Sequence, residues 1–385
     1  MAYQEQFSYY APTRLVVGRG TLGEIPGLLA DRPEKKALII TDAGLKEAGL
    51  IDTVTDVLET ARIEYAVFDG VEANPPIRVV KACADQYSQA DCDWLLAVGG
   101  GSSMDVAKAA GVLVTNEGKI EDYFGAGKVK TRVPFLVCVP TTYGTASEVT
   151  PFAVVTDDSN YKSAVVGPEI IPDVGILDAD MAVALPYVIA GATGMDALTH
   201  AVESYTSLGS NLISEGLAIH AIRLIAENLR QAAAGDHNHV ATERMLIASN
   251  MAGMAFAQSR LGNVHAMSHP VSGHHGTAHG VANAILLTRI MEFNRIACPE
   301  RFANIAVAMG EDVSGLSAMD ASAFAVEAVE ALGFDVGIPE TLSEAGVDGE
   351  KIETMTDDAL KSPNVEINPR KTTREDIVEL YEASM

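Results

Sequence analysis

Basic residues are scarce in this chain. Lysine and arginine together number 27, against 52 aspartates and glutamates, for a formal charge of −25. A surface of that sign repels nucleic acid and anionic membranes, so neither is expected as a partner. The acidity reads as a solvated surface that aids solubility, and it also suits a salty medium. It does not exclude a phosphate-bearing cofactor, which local dipoles hold whatever the net charge. No apolar run reaches the ~18 residues that a membrane span needs. The start of the chain, Met1-Ala2-Tyr3-Gln4-Glu5-Gln6, lacks the basic region of a secretion signal. The four cysteines (Cys83, Cys92, Cys138 and Cys298) form no C-x-x-C pair. Buried free thiols in a reducing, cytoplasmic setting are therefore expected. No internal repeat or low-complexity tract is visible.

What is present is a globular composition, 48% hydrophobic and 21% charged over 385 residues. At ~100–200 residues per domain, two domains are expected. Short β-rich runs recur in the first half: Leu15–Val17, Ala37–Ile40, Tyr65–Phe68, Trp94–Val98, Phe135–Val139 and Val174–Leu177. Helix-like segments such as Leu50–Ala61 and Val79–Gln89 lie between them. That alternation implies a mostly parallel sheet covered on both faces. After Leu185-Pro186 the pattern turns helical, with Ile213–Ala234, Ala241–Gln258, Ala282–Ile296, Ala321–Ala331 and Thr373–Glu382 at helical spacing. Pro186 suits a helix N-terminus. The expected division is an α/β domain over 1–185 and a helical domain over 186–385.

Within the first domain, Val98-Gly99-Gly100-Gly101-Ser102-Ser103 follows an apolar strand and opens a helix. Glycines let backbone N–H groups approach a diphosphate, and a helix N-terminus favours its charge. The alternative is a plain strand-to-helix turn. Asp42 ends the strand Ala37–Thr41, where a carboxylate can accept both ribose hydroxyls of NAD and repel the 2′-phosphate of NADP. It could equally be a helix N-cap. The hydroxyls of Thr141, Thr142 and Thr145, after the strand Phe135–Val139, are further candidate donors. The acid here precedes the glycines, whereas in a standard dinucleotide fold it follows them by ~20 residues. The sheet is thus a relative of that fold with a different topology.

The strongest pattern lies in the helical domain: Asp196-x-x-x-His200, His265-x-x-x-His269, then His279-Gly280. Residues four apart share a helix face, so each pair aims two side chains at one point. Imidazoles with one carboxylate suit a borderline divalent metal, Zn²⁺ or Fe²⁺, over Ca²⁺ or Mg²⁺. A single buried histidine is usually a core residue, but five ligand-type residues at paired spacing argue otherwise. Spacing alone does not choose among His265, His269 and His279.

These segments resemble the iron-containing (group III) alcohol dehydrogenases. The resemblance is carried by Gly99-Gly100-Gly101-Ser102, Thr141 to Glu148, Ala192 to Ala201, His265 to Pro270 and His279 to Ala284. It runs over nearly the whole chain and is close to the 1,3-propanediol, lactaldehyde and methanol dehydrogenase branch. The resemblance implies a dehydroquinate synthase-like fold: an α/β dinucleotide-binding domain, an all-helical C-terminal domain and a site in the cleft between them. It implies metal ligation by Asp196, His200, His265 and His279, with His269 beside the nicotinamide and substrate. It places Asp42, Asn74, Gly99, Gly100, Gly101, Ser102, Ser103, Thr141, Thr142, Thr145 and Lys162 at NAD(H). The expected cofactors are NAD and Fe²⁺, with Zn²⁺ as an alternative occupant. The expected substrate is a small alcohol or aldehyde, and the expected assembly is a homodimer or higher homo-oligomer. Rival readings are a phospho-alcohol dehydrogenase or lyase of the same fold, and a non-catalytic NAD-binding or filament protein. Two departures bear on specificity. The loop before His279 reads His274-His275-Gly276-Thr277-Ala278, and Phe152 stands where propanediol-type relatives carry a polar residue. Two donor-capable rings beside the metal loop lead to the expectation of a short substrate with a polar or anionic far end.

Overall fold

A computed structural model of the chain describes residues 6–157, 162–235 and 237–385. They form two compact units. One comprises Ala11–Thr142 and Ala146–Ala184; the other comprises Leu185–Met385, the chain up to Tyr10, and Tyr143–Thr145. The two short segments depart from a division at 185/186, and hydrogen bonds explain why. The Tyr9 hydroxyl donates to the Met254 carbonyl at 3.4 Å, and Gln258 Nε2 donates to the Tyr10 carbonyl at 3.0 Å. Gly144 O lies 3.2 Å from His200 Nδ1.

The α/β unit holds strands β1 (Arg14–Val17), β2 (Lys36–Ile40), β3 (Glu64–Phe68), β4 (Trp94–Gly99), β5 (Gly125–Ala126), β6 (Leu136–Pro140), β7 (Phe152–Thr156), β8 (Lys162–Val166) and β9 (Val174–Leu177). Its helices are α1 (Ile25–Leu29), α2 (Ala43–Glu47), α3 (Leu50–Thr60), α4 (Ile77–Gln89) and α5 (Gly101–Thr115). Six strands form one sheet in the order β1-β9-β6-β4-β2-β3, and every pairing in it is parallel. The period of two sorts its side chains. Leu38, Ile40, Leu95, Ala97, Leu136 and Cys138 pack with Val80 and Cys83 of α4 and Met104 of α5. Ala37, Ile39, Trp94, Leu96, Val98 and Val137 pack on the other face with Ile25 of α1 and Val54 and Leu58 of α3. Both faces are covered, which is why these strands read as continuous apolar runs. Because all six strands are parallel, their carboxyl ends share one edge, the usual ligand edge of an open α/β sheet. The adjacency of β2, β4 and β6 sets Asp42, the Gly99–Ser103 turn and Thr141 side by side along it.

A smaller sheet, ordered β5-β8-β7, pairs β7 and β8 antiparallel. Helix α5 pins the chain leading into it. Lys108 Nζ, fully buried, donates to Ser147 Oγ at 2.7 Å and to the carbonyls of Thr150 and Phe152 at 2.9 and 2.8 Å. Asp105 accepts from Ser147 Oγ and from the Val154 N–H. A buried ammonium beside a half-buried carboxylate is tolerable only with such partners.

Among the described residues no strand follows Leu177. The helical unit contains α6 (Tyr187–Thr206), α7 (Leu212–Ala233), α8 (His239–Ser259), α9 (Asn263–His275), α10 (His279–Arg295), α11 (Pro299–Met309), α12 (Ala318–Asp335), α13 (Ile352–Ala359) and α14 (Arg374–Ser384). Helix α6 packs on α7, α8 and α10, and from Ala190 onward nearly all of it is buried. A helix apolar all round belongs in a core. What sets α6 apart is its buried polar stripe of Asp196, His200 and Glu203, at i, i+4 and i+7. Such groups need partners or a ligand. No helix among the described residues is long and apolar enough to cross a membrane.

Candidate metal centre and nucleotide loops

The turn after β4 requires its first glycine. Gly99 has φ +151°, and a Cβ there would overlap the Ser103 hydroxyl. Gly100 caps α5 without any side-chain hydrogen bond, and the first turn carries no acid. The start of a 15-residue helix with no side-chain cap and no acid in its first turn fits an anionic diphosphate. Ser102 and Ser103 lie in that first turn, Thr141 N–H donates to Gly99 O at 3.0 Å, and Thr142 sits against Gly100. Asp42 is the N-cap of α2, accepting from the Leu45 N–H at 3.0 Å through Oδ1. The cap engages Oδ1, so Oδ2 is the oxygen a ribose would meet. Asn74 is exposed at φ +51°, and Lys162 opens β8. Thr145 belongs to the helical unit.

Three histidine- and carboxylate-bearing helices converge inside the helical unit. Asp196 of α6, His265 of α9 and His279 of α10 present ligand atoms that all lie within 4.8 Å of one another. Asp196 Oδ1 is 3.9 Å from Nε2 of His265 and 3.9 Å from Nε2 of His279. Asp196 and His265 are buried and His279 is partly open. Two glycines make the convergence sterically feasible. A Cβ on Gly280 would overlap the Ala192 carbonyl oxygen of α6, and one on Gly144 would press on Thr193 and Asp196. Backbone atoms cannot rotate away, so the approach of α10 to α6 depends on Gly280.

His200 stands beside this group of three. Its ring is sandwiched between Phe256, at 4.4 Å between centroids, and His265, at 4.6 Å. His269, half-buried, has its ring 5.2 Å from that of His279 and 6.1 Å from that of His265. One carboxylate and two imidazole nitrogens, largely dry, fit a borderline divalent cation.

Two residues that the spacing patterns overlooked complete the site. Asn283 Nδ2 donates to Asp196 Oδ1 at 2.6 Å and lies 3.1 Å from His265 Nε2 and 3.2 Å from His279 Nε2. Its signal was a buried amide one turn after His279. Glu203 Oε2 lies 2.6 Å from His265 Nδ1, and Oε1 accepts from the Val264 N–H at 2.6 Å. Burial pushes its carboxyl up to about 7, against the pull of the N–H donors. Its signal was the i+3 position after His200 on a buried helix.

The pair before His279 lies in the last turn of α9, which ends at Gly276 in the left-handed conformation. His274 Nε2 meets Asp358 Oδ2 of α13 at 2.7 Å. That nitrogen is thereby tied to another helix and is not a free donor toward a substrate. Phe152 opens β7, half-buried.

Family models cover most of the chain. One described as iron-containing alcohol dehydrogenase matches residues 12–179, and one described as Fe-containing alcohol dehydrogenase family, C-terminal, matches 190–385. The 1,3-propanediol dehydrogenase of Klebsiella pneumoniae is 41% identical over 384 residues, 99% of this chain and 99% of its own. The lactaldehyde reductase of Escherichia coli (strain K12) is 42% identical over 368 residues, 94% of this chain and 96% of its own. The crystal structure of a 1,3-propanediol oxidoreductase superposes with a TM-score of 0.96 at 41% identity, over 99% of this chain and 100% of that one.

Proposed function

This chain belongs to the iron-containing alcohol dehydrogenase family, whose members work with a metal and NAD(H), and on that premise we propose that Asp196, His200, His265 and His279 hold the metal for oxidation of a short primary alcohol or reduction of its aldehyde. The observation that carries this reading is the convergence of Asp196, His265 and His279 inside one helical unit. His200 joins the proposed set because it lies one turn from Asp196 on the same face of α6, buried against the His265 ring. The relatives named for 1,3-propanediol and lactaldehyde act on three-carbon compounds with a second oxygen, so a short substrate with a polar far end is the proposed class.

A divalent ion bound there supplies a Lewis acid that stabilises negative charge developing on the alcohol oxygen, and NAD⁺ supplies the hydride acceptor. Asp196 brings the single negative charge of the set; the imidazoles are neutral when they ligate, so the site stays net positive toward that oxygen. Burial of Asp196 and His265 keeps water from screening it. The oxidation releases one proton, and His269, half-buried beside His279, is the proposed group to pass it outward. Asp42 and the Gly99–Ser103 turn are the proposed seat of NAD, with Asn74, Thr141, Thr142, Thr145 and Lys162. Fe²⁺ is the proposed metal, although Zn²⁺ stands above it in intrinsic affinity. Two domains, 1–185 and 186–385, and a homodimer or larger assembly complete the proposal.

The test is metal content and turnover together. Wild type loaded with Fe²⁺ should oxidise NADH with lactaldehyde or a comparable aldehyde. His265→Ala and His279→Ala should lose both bound metal and activity, while His269→Ala keeps the metal and loses rate. Stoichiometric metal in His265→Ala would sink the ligand assignment.

A further inference from the structure

Helix α9 carries His265 at its third residue and begins without a cap of its own. The residue before it, Gly262, offers no side-chain acceptor. The first N–H groups of a helix need partners. One finds its partner on a different helix: Glu203 of α6, 5% exposed, accepts from the backbone N–H of Val264 at 2.6 Å. Gly262 lies so close that a Cβ there would stand 3.1 Å from Glu203 Oε1. The second carboxylate oxygen is then directed at the His265 ring, 2.6 Å from Nδ1.

Ionised, as at pH 8, the carboxylate only accepts hydrogen bonds, so the ring nitrogen facing it then carries the hydrogen. The other nitrogen, Nε2, is the one 3.9 Å from Asp196 Oδ1 and 3.1 Å from Asn283 Nδ2. We infer that Glu203 is a positioning residue: it fixes His265 as the Nδ1–H tautomer and orients the ring so that the Nε2 lone pair faces the metal position. This rests on the proposed role of His265 as a ligand. Asp196, His200 and Glu203 then form one stripe on α6 that contributes two proposed ligands and the support for a third.

Glutamine separates this role from simple helix capping. In Glu203→Gln the amide oxygen still accepts from the Val264 N–H, but the group facing His265 becomes an N–H donor. The ring then meets it with a Nδ1 lone pair, and the hydrogen moves to Nε2, which can no longer ligate. Metal-free full-length protein is titrated with Co²⁺, followed by visible absorption, and melted in parallel. Expected is a Co²⁺ affinity about 10- to 100-fold weaker than wild type, the usual range for losing such a partner, with the metal-free melting temperature little changed. Wild-type affinity in Glu203→Gln overturns the inference. If the variant does not fold, the ¹⁵N spectrum of the metal-free wild-type histidines at pH 8 decides. Hydrogen on Nδ1 of His265 with a bare Nε2 supports the inference, and hydrogen on Nε2 refutes it. His265→Ala runs alongside. If it loses Co²⁺ while Glu203→Gln does not, only the positioning role fails; if both bind normally, the ligand assignment of His265 fails.

Discussion

At the scale of single residues, Asp42 carries two physical roles that pull apart experimentally. Its Oδ1 caps α2 through the Leu45 N–H, a contact worth about 1 kcal/mol when removed by alanine. Its charge is the proposed barrier to the 2′-phosphate of NADP. Serine caps about as well as aspartate but has no charge. Asp42→Ser should therefore keep the unfolding midpoint near wild type while raising kcat/KM for NADPH relative to NADH. Asp42→Ala should do both, losing stability and relaxing the cofactor preference. Unchanged NADPH use in both variants, measured by steady-state kinetics, would leave Asp42 as a cap alone.

At the scale of elements, the centre depends on how closely α10 approaches α6. Gly280 faces the Ala192 carbonyl, and a methyl group there must push the helices apart, since the obstacle is main chain. Overpacking of this kind costs about 1–3 kcal/mol. It also moves His279, the residue before it, away from Asp196. Gly280→Ala should lower the urea midpoint and reduce bound metal, read by denaturation curves and metal analysis on the same sample. Full metal content with an unshifted midpoint would show that the contact yields easily. Helix α9 illustrates the same dependence differently. Pro270 lies inside it, and a proline removes one helical hydrogen bond and usually ends or kinks a helix. Here the helix continues to His275, where the His274–Asp358 pair ties its last turn to α13.

At the scale of the whole molecule the charge of −25 sets the response to salt. Like charges at such density repel in the compact state, and at ~0.01 M salt the screening length is about 30 Å, against about 3 Å at 1 M. Raising NaCl from 10 mM to 1 M should raise the melting temperature by at least about 1 °C, the shift that roughly 1 kcal/mol gives at ~2.1 cal/mol/K of unfolding entropy per residue in a chain of 385 residues. Differential scanning calorimetry on metal-free protein measures it. A flat or falling melting temperature would mean that the acids lie too far apart to repel.

Local periodicity alone was enough to place the large sheet. The six apolar runs correspond to β1, β2, β3, β4, β6 and β9 within a residue or two; in β2, β4, β6 and β9 the reason is that a strand buried on both faces is apolar throughout, while the edge strands β1 and β3 are only partly buried. Helices α7, α8 and α10 were legible from 3.6-residue spacing, because residues three and four apart line the face that each buries. The β7–β8 hairpin was missed: its strands are five residues each and only alternate positions of β7 are buried, so neither run stands out from its loop. Paired spacing put Asp196 with His200 and His265 with His269 on shared helix faces, since i, i+4 partners share a face wherever the helix goes. Tertiary packing alone decided the rest. It brought three helices distant in sequence to one point, placed Asn283 amid the candidate ligand atoms of Asp196, His265 and His279, and stacked His200 on His265. It also turned His274 to Asp358 and set Glu203 against Nδ1 of His265. Periodicity specifies which face of an element a side chain occupies. Which other element that face meets, and at what distance, depends on close packing of residues far apart in the chain, such as Gly280 against Ala192.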